Sequence, residues 1–152
     1  MTVDMTARRT SVSRVIAAEP SVIFAVISDA SLHPVIDGSG TVKGSSGKPE
    51  PLHLGSRFGM KMKIILPYRI TNSVVEFEQD RVIAWQHFGK HRWRYELEPV
   101  EGGTRVTETF DWSTSRSPQA IERMGYPSKH EAGMEQTLER LDSYVRNKSN
   151  SL

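Results

Sequence analysis

The chain has 152 residues and no cysteine, so it is the size of one domain, able to bury roughly 68–70% of the surface its unfolded form exposes. The missing cysteine excludes disulfides, thiolate metal sites and cysteine nucleophiles, and suits a reducing cytoplasm. Twenty Lys and Arg against eighteen Asp and Glu leave a net charge of +2, interspersed instead of blocked, so no nucleic-acid footprint is expected; no apolar run is long enough to span a membrane, and Met1–Val15 lacks an apolar h-region, so neither stable membrane insertion nor a secretory signal is expected.

Residues 10–17 read as a strand. Pro20 then opens the apolar run Val22–Ile27, a short helix over 20–28, because the N–H that proline lacks is unpaired at a helix start anyway. Leu32-His33-Pro34 adds one further helical turn. From Asp37 to Gly55 the Gly, Ser and Pro content predicts a short strand at Thr41–Lys43 within a long loop, with Gly38-Ser39-Gly40 and Gly44-Ser45-Ser46-Gly47 as ordinary loop.

Between Arg57 and Trp112 the period is two. Phe58, Met60, Met62 and Ile64 alternate with Gly59, Lys61 and Lys63, the signature of a half-buried strand. Tyr68–Glu78, Val82–Phe88, Arg92–Pro99 and Arg105–Trp112 follow, joined by connections too short for a parallel crossover, so the middle of the chain is an antiparallel meander. Beyond Thr114 the period lengthens. A helical piece is predicted at 118–125, then a long helix over about 129–147 with Met134, Leu138, Leu141 and Val145 on one face. Ser128 and Glu131 have the spacing of a capping box behind Pro127. The expected fold class is α+β: a curved antiparallel sheet of six to seven strands around the C-terminal helix, with two short helices after the first strand.

This order, carried by Ile16-Ala17-Ala18-Glu19-Pro20, Leu54-Gly55-Ser56-Arg57-Phe58, Trp85-Gln86-His87-Phe88-Gly89, Trp93-Arg94-Tyr95-Glu96-Leu97 and Gly102-Gly103-Thr104-Arg105-Val106-Thr107, resembles the START-like (SRPBCC) superfamily of helix-grip folds, in particular its bacterial polyketide cyclase/dehydrase-like branch. The resemblance runs from about residue 10 to 146. It implies a single ligand-binding domain over 9–147, with 1–8 and 148–152 as flexible termini, and a cavity between sheet and helix for lipids, polyketides or other apolar compounds.

If the apolar sheet face is concave, Phe58, Met60, Met62, Ile64, Trp85, Trp93, Tyr95, Phe110 and Trp112 line that cavity, closed by Met124, Met134, Leu138 and Leu141; the alternative is that these side chains meet and fill a core. Glu108 shares parity with Val106, Phe110 and Trp112 and is expected to face inward, where desolvation raises its pKa. A salt bridge or a solvated strand edge would account for it equally. His87 shares parity with Trp85 and is placed within reach of Tyr95 or Glu108 as a proton carrier, or else as a solvated turn histidine. His33 and Asp37 either gate the pocket or cap a turn. The histidines are scattered without metal-ligand spacing, and no phosphate loop or nucleophile elbow occurs, so neither metal nor cofactor is expected. Two functions stay open. One is a monomeric or homodimeric module binding a small hydrophobic molecule oriented by Glu108, His87 and Tyr95. The other is a cofactor-independent enzyme of the cyclase, aromatase or dehydratase type, in which those three residues are catalytic.

Overall fold

Alternation in the middle of the chain becomes a continuous antiparallel meander in the computed structural model, which describes residues 2–46 and 50–150. Its strands are β1 (Thr2–Asp4), β2 (Arg9–Ile16), β3 (Val42–Ser46), β4 (Arg57–Lys63), β5 (Pro67–Glu78), β6 (Val82–Gln86), β7 (Arg92–Val100) and β8 (Gly103–Asp111). They form one sheet in the order β1-β2-β8-β7-β6-β5-β4-β3. Between β2 and β3 come α1 (Pro20–Ile27), a 3-10 turn at Ala30–Leu32 and α2 (His33–Ile36); α3 (Pro118–Arg123) and α4 (Tyr126–Asn150) follow the sheet. This is the helix-grip α+β architecture.

Three boundaries differ from the sequence reading. The sheet has eight strands and not six to seven, because Thr2–Asp4 pairs antiparallel with β2 through Val3 and Thr10. Gly44, Ser45 and Ser46 are strand and not loop, pairing with Lys61, Met60 and Gly59 across a bulge next to Val42; residues 47–49, the rest of that predicted loop, lie outside the described residues, as do Met1 and 151–152. The long helix begins at Tyr126, so Pro127 occupies its first turn, where a missing N–H costs nothing, and Ser128 is inside the helix instead of capping it. Gly125, at φ 72°, makes the reversal out of α3 that other residues resist.

A further bulge between Val74 and Glu76 bends β5 against β6. From β6 to β8 the register runs without interruption, Trp85 opposite Trp93, Tyr95 opposite Glu108 and Trp93 opposite Phe110. The inward parity of these residues therefore holds.

Helix α4 does two different jobs along its length. Its C-terminal half packs solidly: Leu138, Leu141 and Val145 are buried with Val12 and Ile16 of β2 and Ile23, Phe24 and Ile27 of α1, and Arg14 donates to Asp142 at 2.8 Å across the same seam. Its N-terminal half is held by the segment after α2. There Gly38 N–H donates to Thr137 Oγ1 at 2.8 Å, and Arg140, from just beyond the helix midpoint, donates to the Asp37 carbonyl at 2.6 Å. The crossing is so close that a Cβ on Gly38 would stand 2.5 Å from the Thr137 nitrogen and 2.6 Å from the Gly133 oxygen.

The facing glycines of this crossing should respond with opposite signs. Gly38→Ala is expected to destabilise the fold by about 1–3 kcal/mol, since backbone must move to admit the methyl. Gly133→Ala, whose Cβ would meet Ser39 at an ordinary 3.6 Å, should stabilise it by up to about 1 kcal/mol through helix propensity. Urea unfolding of both variants checks this; equal effects would refute the close crossing.

Candidate functional site

Above the N-terminal half of α4 the sheet curves away from the helix and leaves a cavity of about 640 Å³, within the range of small-molecule sites. The sheet supplies Met60, Met62, Ile70, Asn72, Trp85, Trp93, Tyr95, Glu108 and Phe110. The helix supplies Tyr126, His130, Gly133, Met134 and Thr137, a stripe spaced by whole turns. His33, Ile36, Asp37, Ser39, Thr41 and Val42 close one end. Ile64, Tyr68 and Phe88 also line the cavity yet are exposed, so they mark its mouth.

Of the residues expected from sequence, Met60, Met62, Ile64, Trp85, His87, Trp93, Tyr95, Glu108, Phe110 and Met134 line this space. Five of the expected lining and closing residues do not. Phe58 lies behind the wall, its ring edge-on to His33 and Trp85 at 5.4 and 5.5 Å. Trp112 follows the end of β8 and is fully buried in the core, where its indole N–H donates to Glu122 at 3.0 Å. Leu138 and the closing residue Leu141 belong to the solid half of α4. Met124 is 57% exposed, because the reversal at Gly125 turns it away from the sheet.

Glu108 is the most constrained polar group in the cavity. It is 4% exposed, its cross-strand neighbour is Tyr95, and its Oε1 has no hydrogen-bond partner. Burial raises its pKa to about 8; hydrogen bonding from the Tyr95 hydroxyl opposes the shift and the Asp37 charge adds to it. The carboxyl group is therefore mostly protonated at neutral pH and available as a donor. Tyr95 is pushed well above the usual phenol range, chiefly by burial and then by the charge of Glu108.

His33 is the buried imidazole that sequence reasoning left undecided. It is stacked on Trp85 at 4.8 Å, and burial lowers its pKa. Its Nε2 sits 2.8 Å from the Ile27 carbonyl. A carbonyl only accepts, so Nε2 carries the proton and Nδ1 keeps a lone pair, which has no partner. Asn72, paired in register with Phe58 on β4, is 2% exposed and its Nδ2 is likewise unsatisfied.

His87 lines the cavity, but it is not the partner of Glu108. It belongs to the mouth, accepting from the Gly89 N–H at 3.1 Å and meeting the His91 ring edge-on at 4.4 Å. His91 and His130, both unassigned from sequence, face Phe110 at 5.4 and 4.5 Å. Burial, reinforced by neighbouring positive charge, lowers each to about 4, so both are neutral near pH 7. Among the described residues no group of three or more His, Asp or Glu side chains is placed to hold a metal ion, and no helix is long and apolar enough to cross a membrane.

The chain is similar to known proteins over most of its length. A family model described as polyketide cyclase / dehydrase and lipid transport matches residues 7–146. An uncharacterized protein of Mycobacterium tuberculosis H37Rv is 39% identical over 154 residues, spanning 97% of this chain and 69% of the relative. Among solved structures, a Rhodobacter sphaeroides protein superposes with a TM-score of 0.73 at 22% identity over 93% of each chain. An AHSA1-like protein from Aeromonas hydrophila gives 0.65 at 20% identity, over 93% of this chain and 94% of the other. At these identities the structural likeness concerns the fold alone.

The raised carboxyl predicts a defined pH dependence of stability. Glu108 stays protonated in the folded state between its ordinary 4.5 and about 8, while the unfolded chain ionises there. Unfolding thus releases a proton, and stability falls as pH rises through that window. Glu108→Gln should remove this component. The stability difference between the variant and the parent should be flat below pH 4.5, grow in the variant's favour by about 1.4 kcal/mol per pH unit, and level off above about 8. A difference independent of pH would show that the carboxyl is not held neutral.

Proposed function

Because the chain belongs to the polyketide cyclase / dehydrase and lipid transport family, within the START-like superfamily, we propose that it binds a small, uncharged, mainly apolar molecule carrying hydroxyl or carbonyl groups. The observation that carries this reading is a coincidence of place. Three side-chain atoms, His33 Nδ1, Asn72 Nδ2 and Glu108 Oε1, are buried without a partner among the described residues, and all three residues line the same cavity. Each buried orphan costs about 1–3 kcal/mol, and native structures retain few of them. A ligand hydroxyl would donate to His33, a carbonyl would accept from Asn72 or from protonated Glu108, and the ring faces of Trp85, Trp93 and Phe110 would receive the apolar body.

Catalysis is supported by a separate observation: a neutral imidazole with a free lone pair and a protonated carboxyl line one cavity. In a dehydration, His33 would take a proton next to a carbonyl while Glu108 gave its proton to the departing hydroxyl, releasing water. Such an enzyme would lose turnover with Glu108→Gln while keeping binding, whereas a binding protein would show changed affinity only.

Titration with naphthalene, 2-naphthol and 2-acetonaphthone, read by tryptophan fluorescence, tests the main reading. Both polar compounds should bind about tenfold more tightly than the hydrocarbon, as one or two net hydrogen bonds provide. Asn72→Leu should erase the advantage of the ketone and His33→Phe that of the naphthol. Equal affinity for all three would sink the polar recognition, and no binding by any would sink the cavity as a ligand site.

A further inference from the structure

The tip of the β4–β5 hairpin is built against the ordinary logic of a protein surface. Ile64, Ile65 and Leu66 are consecutive and 59%, 85% and 75% exposed, and Phe88, across the mouth, is 75% exposed. Single exposed apolar residues need no explanation, but a contiguous set of them does.

The charges around the tip are equally one-sided. Between Glu50 and Glu76 the sequence has no acidic residue. Lys61 and Arg69 are direct cross-strand partners, a like-charge pair that destabilises a sheet unless an anion lies between or above the two. Among the described residues neither they nor Lys63 has a carboxylate partner. Seven arginines elsewhere are paired with carboxylates, among them Arg9 with Asp111, Arg14 with Asp142, Arg94 with Glu76 and Arg105 with Glu98. The small net charge of the chain thus conceals a cationic, apolar-tipped projection. It stands at the mouth of the cavity, since Ile64, Tyr68 and Arg69 are also cavity residues.

We propose that this hairpin docks the mouth of the cavity onto an anionic lipid bilayer, with Ile64, Ile65 and Leu66 entering the acyl boundary and Lys61, Lys63 and Arg69 at the headgroups. Aliphatic side chains between cations suit that boundary, where an apolar layer lies directly beneath a negative one. A nucleic acid offers no such layer. A second copy of the chain docked face to face would set the same cations against each other, since a two-fold interface repeats each patch on itself. Docking does not depend on the ligand chemistry proposed above. If both hold, an apolar ligand passes between membrane and cavity without crossing water.

Co-flotation of the full chain with vesicles tests this. Binding is expected to phosphatidylcholine vesicles containing phosphatidylserine, to be absent with phosphatidylcholine alone, and to weaken as salt rises. Ile65→Ser with Leu66→Ser, and separately Lys61→Glu with Lys63→Glu, should each weaken binding by about tenfold or more. Urea unfolding and naphthol affinity should be unchanged in the serine variant, because neither substituted side chain lines the cavity or is buried. No flotation with the anionic vesicles overturns the proposal, as does flotation that neither variant alters. It is also overturned if sedimentation equilibrium finds a dimer that the serine variant dissolves, which would assign the patch to a second copy of the chain.

Discussion

Everything in this molecule depends on how one straight helix is held against a sheet that bends away from it. α4 is anchored twice. Its C-terminal half is anchored by side-chain packing against β2 and α1 and by Arg14 on Asp142. Its N-terminal half is anchored by the backbone of Gly38 pressed onto Thr137. Between the second anchor and the sheet lies the cavity of about 640 Å³. Overpacking would strain the crossing and underpacking would let the helix settle. The cavity therefore goes with a span that is held by the close crossing of Gly38 over the helix and by the hydrogen bonds of Thr137 and Arg140 to that segment.

That rigid span makes the polar groups inside it expensive. The three unsatisfied buried atoms among the described residues destabilise a fold whose total stability is of the order of 5–15 kcal/mol. The rest of the structure offsets this with dense packing elsewhere and with ion pairs on the outer face of the sheet. Stability given up at one place, and retained there, is what a working site looks like in a natural protein. The core half of α4, by contrast, packs against β2 and α1 and contributes no residue to the cavity lining.

Much of this was legible in the sequence, for a physical reason. Strand parity survives wherever register does, and β6 to β8 pair without a shift, so Trp85, Trp93, Tyr95, Glu108 and Phe110 could be assigned inward from alternation alone. Asn72 carried the same signal, a polar residue in parity with Ile70 and Val74, and His130 stood one turn before Met134 on the apolar face; both were readable and passed over. His33 was not readable, because its position depends on how the turn after α1 folds back to set its ring on Trp85. Trp112 and Met124 were misplaced for the opposite reason. Periodicity was carried past the last strand residue in one case and up to a glycine reversal in the other, and no period governs a side chain beyond the end of its element.

The electrostatics of the cavity narrow what it can receive. Glu108 is held protonated and His33, His91 and His130 are held neutral, so these four ionisable groups present donors and lone pairs instead of charges at neutral pH. A carboxylate or ammonium brought among them would lose its hydration with no opposite charge from them in return, at a cost of several kcal/mol. Uncharged hydroxyl and carbonyl groups lose far less and find partners. Among the other cavity residues, Asp37 carries a charge at the closed end and Arg69 one at the mouth. On the reading proposed above, fit and electrostatics favour the same kind of molecule, apolar in body and uncharged but hydrogen-bonding at its deep end.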